Sequence, residues 1–126
     1  MQRTNKNALQ TPIMGRVIEL NKYVLDKRTL LNKTVRNTYY PPLLAQCEVL
    51  FTQALRQLRG KDYLKRAEEC LFDIQSKAYL LYTLNAGWNL KIASIIDNMC
   101  DDICSQLVRL RAEQSARTNK LNNEVR

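Results

Sequence analysis

Apolar residues recur at helical spacing in successive stretches separated by short breaks. Ile13, Val17, Leu20 and Val24 fall four, three and four apart, and Leu31 and Val35 resume that face beyond Asp26-Lys27-Arg28. This predicts a first helix over about 12–35, opened by Thr11 as N-cap and Pro12 as first helical residue. Tyr39-Tyr40-Pro41-Pro42 stops it, because a residue before proline is pushed out of the α region. Leu44, Cys47, Phe51, Ala54 and Leu58 then give a second helix over about 42–59, ended by Arg59-Gly60.

Asp62 is the expected cap of a third helix. Its seam of Leu64, Ala67, Leu71, Ile74, Ala78 and Leu81 ends near Asn85, with Gly87 as the residue beyond the cap. Asn89 opens a fourth helix over about 90–113, with Ile92, Ile96, Met99 or Cys100, Ile103, Leu107 and Leu110 inward. Residues 1–10 and 114–126 read as polar tails, the second of them expected to fray. The expected fold is all-α: an antiparallel up-down four-helix bundle over 11–113.

Composition agrees with this pattern. A chain of 126 residues suits one core, and 3 Gly with 3 Pro are too few for the turns of a β-sandwich. The polar N-terminus lacks the apolar core of a secretory signal, and the run Ala78–Leu84 is too short to span a bilayer, so the expected location is the cytoplasm, without membrane contact.

Candidate chemistry narrows by residue type. There is no His, which removes Ser-His-Asp and Cys-His mechanisms and His-ligated metals. The three glycines stand alone, so no phosphate-binding glycine loop exists. Glu68-Glu69 and Asp101-Asp102 are adjacent pairs pointing about 100° apart on a helix, unsuited to acting on one atom. The chain is therefore read as a non-enzyme with no cofactor and no metal. Cys47, Cys70, Cys100 and Cys104 lie on apolar stripes and read as core residues. A thiolate metal or redox site is the alternative.

Charge then changes the picture. Twenty Lys+Arg against twelve Asp+Glu give +8, a footprint for polyanions or for an acidic protein. The first predicted helix offers Arg16, Lys22, Lys27, Arg28, Lys33 and Arg36. The turn between the second and third adds Arg56, Arg59, Lys61, Lys65 and Arg66, and the C-terminal region Arg109 and Arg111, with Arg117, Lys120 and Arg126 beyond. These are the candidate nucleic-acid-binding residues, gripping phosphate without reading sequence. Tyr39 and Tyr40 beside Arg36 either stack on unpaired bases or plug the core. Phe72, Tyr79, Leu80, Tyr82 and Leu84, with Trp88, widen the third helix beyond its seam and mark an expected homo-oligomer interface.

The segment Tyr63-Leu64-Lys65-Arg66-Ala67-Glu68-Glu69-Cys70-Leu71, the apolar run to Leu84, the short break and the Ile-rich last helix resemble the Avd proteins. These are the accessory variability determinants of diversity-generating retroelements, related to the four-helix-bundle proteins of ribosomal-RNA intervening sequences. The resemblance spans about residues 13–112. It implies a pentameric assembly that binds a reverse transcriptase and its template RNA or the complementary DNA. A protein-only adaptor for an acidic partner stands beside this reading.

Overall fold

The computed structural model describes residues 6–125, which are helical almost throughout, with no β-strand among them. The helices are α1 (Lys6–Leu9), α2 (Pro12–Asp26), α3 (Lys33–Thr38), α4 (Tyr40–Leu58), α5 (Leu64–Thr83) and α6 (Leu90–Val125), with a single 3-10 turn at Arg28–Leu30. α5 packs against α4 and α6, and α2 against the same two helices. Between them lies one apolar core that runs from Ile13 and Met14 to Leu107 and contains most of the seam residues named above.

The first predicted helix is in fact three pieces. α2 starts as expected, with Thr11 Oγ1 accepting from the Met14 amide at 3.3 Å, but it stops at Asp26. Asn32 then caps α3 by accepting from the Val35 amide at 3.0 Å. The break is held from outside. Trp88 Nε1 donates to the Lys27 carbonyl at 2.9 Å, and the Asn32 amide donates to the Ala86 carbonyl at 2.8 Å. A straight helix would have used these backbone groups internally.

Other boundaries move for local reasons. α4 begins at Tyr40, not 42, because Pro41 and Pro42 sit in a first turn whose amides need no partner. Tyr63 rather than Asp62 is the N-cap of α5 and its side chain makes no cap bond, while Asp62 Oδ1 accepts the Leu64 amide at 3.4 Å. Asn85, at φ 53°, takes the left-handed position after α5 that Gly87 was expected to fill. Gly87, at φ 129°, is needed for another reason: an added Cβ would overlap the Leu30 carbonyl. α6 does not end at 113 but continues to Val125, so the segment expected to fray is helical. Of the expected N-terminal tail, residues 6–9 form α1, while 1–5 lie outside the described residues, as does Arg126.

Trp88, expected at an oligomer interface, is instead buried in this chain's own core. Its ring meets Tyr40 edge-on, with centres 6.3 Å apart and planes at 82°. No described helix is long and apolar enough to cross a membrane.

Candidate nucleic-acid interface

The connections define two ends. At the Gly87 end, the α2–α3 segment and the α5–α6 loop meet through the Trp88 and Asn32 bonds. At the Gly60 end, the α4–α5 turn meets α6. There Gln57 Nε2 donates to Gln114 Oε1 at 2.9 Å, and Gln114 Nε2 returns a bond to the Gln57 carbonyl at 2.8 Å. Gln57 is 1% exposed, and its Oε1 also accepts the Tyr63 amide at 2.7 Å. One buried amide thus fixes the turn that presents Lys61 and Tyr63.

The candidate cations do not form one surface. Arg56, Arg59, Lys61, Lys65 and Arg66 are all exposed at the Gly60 end. Tyr63, which sequence reasoning passed over, organises two of them. The guanidinium carbons of Arg56 and Arg66 each lie 5.2 Å from its ring centre, and Arg56 Nη1 donates to its hydroxyl at 3.2 Å. A cation over a tyrosine ring gains roughly 0.5–1 kcal/mol at an exposed site. The available signal was an aromatic residue three positions before one arginine and seven after another, across a glycine turn.

Arg109 and Arg111 reach the same end from α6, but Arg111 is engaged. Its Nε and Nη2 donate to Asp62 at 3.1 Å each. That pair holds the Asp62 carboxyl below its usual range and the Arg111 guanidinium above its own. Arg109 is exposed beside a groove lined by Pro12, Leu58 and Glu113.

At the Gly87 end lie Lys27, Arg28, Lys33 and Arg36. Lys27 pairs with Asp26 at 3.5 Å and sits 5.1 Å from the Tyr23 ring centre. The two tyrosines part company here. Tyr40 is buried and its hydroxyl donates to the Val24 carbonyl at 3.0 Å, whereas Tyr39 is 51% exposed. Burial raises the Tyr40 hydroxyl above its ordinary pKa. Arg16 and Lys22 belong to neither end. Arg16 bridges Glu19 and Asp102, both at 3.1 Å. Lys22 borders an open groove of about 490 Å³ between α2 and α4, with Leu25, Leu44 and Glu48.

The expected interface residues also divide. Phe72, Tyr79 and Leu80 are exposed along the outer side of α5, with Phe72 the most open at 68%, while Leu84 is exposed near its end and Tyr82 is half-buried. The cysteines are all reduced, with Cys47, Cys70 and Cys100 buried. Burial pushes the Cys47 thiol up to about 12 and Cys70 to about 11, and raises Cys100 and Cys104 as well. Cys70 Sγ donates to the Gln46 carbonyl at 3.2 Å. Among the described residues no three Cys, Asp or Glu side chains converge to hold a metal ion.

Compared with family models, curated proteins and solved structures, the chain matches none.

Proposed function

We propose that this chain is a basic, non-enzymatic nucleic-acid-binding protein whose Gly60 end holds RNA or complementary DNA through phosphate contacts. The observation that carries the reading is the exposure of Arg56, Arg59, Lys61, Lys65 and Arg66 on one turn, none of them ion-paired among the described residues. Cations free of protein carboxylates release counterions when they meet phosphate, and this drives sequence-independent binding. Tyr63 keeps two guanidiniums in place before the ligand arrives, which lowers the ordering cost of binding.

In this reading the helices form an antiparallel four-helix bundle that self-associates through Phe72, Tyr79 and Leu80. Copies in one assembly multiply weak phosphate contacts by effective concentration. The resemblance to Avd proteins supplies the partner: a cytoplasmic reverse transcriptase, whose template the assembly, a pentamer in that family, holds nearby.

Fluorescence anisotropy with a labelled single-stranded RNA tests the site. With about four phosphates engaged, the logarithm of affinity falls with the logarithm of salt at a slope of roughly −3. Arg59→Glu with Lys65→Glu flattens that slope. A salt-independent affinity overturns the reading. So does binding of an acidic polypeptide with none of RNA, the behaviour of a protein-only adaptor.

A further inference from the structure

The fold sorts charge along its long axis in a way the linear sequence conceals. The middle of the body carries Glu19, Glu48, Asp73, Asp97, Asp101 and Asp102, against Arg16, Lys22 and Lys77. These acids occupy the central turns of α2, α4 and α5 and the second to fourth turns of α6, and side-chain bonds tie several of them across helices. Gln46 donates to Asp73 at 3.4 Å, Gln75 to Asp101 at 2.9 Å, and Arg16 is occupied by Glu19 and Asp102. The two ends are basic, the Gly60 end in spite of Asp62, Glu68, Glu69 and Glu113, and the waist between them is acidic.

The Gly87 end has its own equipment for a nucleic acid. Arg28, Lys33 and Lys91 are exposed and Arg36 is half-buried, with Asp26 the acid beside them. Tyr39 stands 51% exposed at the α3–α4 junction, three residues from Arg36. Cations beside an open aromatic ring are the elements that hold an unpaired strand by phosphate contact and base stacking.

The ends are separated by the length of α4, whose 19 residues span about 28 Å. The Debye length at physiological salt is about 8 Å, so neither end senses a polyanion bound at the other. A single strand lying along the body would have to pass the acidic waist. We infer that each protomer binds two separate single-stranded nucleic-acid segments, one at each end, and thereby bridges them. This rests on the reading of the Gly60 end given above and adds a second site and a bridging activity to it.

Two non-complementary single-stranded RNA oligonucleotides, one carrying a donor dye and one an acceptor, test this with the full chain at low salt. Wild type produces energy transfer between them, and native mass spectrometry finds two oligonucleotides per protomer. Arg28→Glu with Lys33→Glu leaves one oligonucleotide bound per protomer and, in a Phe72→Glu background that removes self-association, abolishes transfer. Arg59→Glu with Lys65→Glu does the same from the other end, and the four changes together remove binding. These side chains are exposed, and circular dichroism checks the helix content of each variant. Transfer that persists when the Gly87-end changes are made in the Phe72→Glu background overturns the inference. One oligonucleotide per wild-type protomer also overturns it while leaving the Gly60 site standing. No binding by wild type removes both.

Discussion

Gln57 connects the core to the surface at the scale of one residue. Its side chain satisfies the Tyr63 amide and Gln114 together while almost wholly shielded from water. Gln57→Ala strands both partners, and each unsatisfied group costs about 1–3 kcal/mol. Urea denaturation should show a loss of about that size or somewhat more, and the Tyr63 amide should exchange faster. The thiols make a second prediction. Folding raises the Cys47 and Cys70 pKa values above the ordinary 9.0, so their contribution is fully present below pH 9. It declines as the pH rises toward about 12, since the unfolded chain loses those protons first. Stability measured from pH 8 to 10.5 should therefore fall less steeply in Cys47→Ala than in wild type. Periodicity showed that these cysteines are apolar-face residues, because burial follows the stripe. It had no means of separating Tyr39 from Tyr40, since adjacent positions differ only in what the rest of the chain packs against them.

At the scale of elements, the four long helices were legible from their stripes because each stripe answers to the same core. The break after Asp26 was not. Leu31 and Val35 keep helical phase with Val24, and the groups that open the chain there, Trp88 and Ala86, come from more than fifty residues away. Asn32 was the one local sign, a good capping residue in the midst of an apparent helix. Gly87 carries the matching prediction. Gly87→Ala would place a methyl on the Leu30 carbonyl at a φ that side chains rarely adopt. It should cost about 1–3 kcal/mol, read by thermal unfolding. The amides of Leu31 and Asn32 should lose protection from exchange ahead of those in α4.

For the whole molecule, the sequence pointed to basic clusters but not to their separation, because position along the chain is not position along the axis. Arg36 and Arg56 are twenty residues apart and sit at opposite ends, whereas Asp62 and Arg111 are forty-nine apart and touch. The exposed outer side of α5 carries a prediction at this scale. Phe72→Glu places a charge at the most open large apolar residue. Sedimentation velocity should then show a smaller species than wild type, with helix content unchanged. α6 has a consequence of its own. At 36 residues it is about 54 Å long, against about 30 Å for the 20 residues of α5. Beyond Gln114 every residue to Asn123 is exposed. A lone polar helix this short is marginal in water, so these last turns can unwind and rewind at almost no cost to the body. Arg117 and Lys120 thus ride on an arm that stands clear of the packed body, so their charge meets solvent on every side.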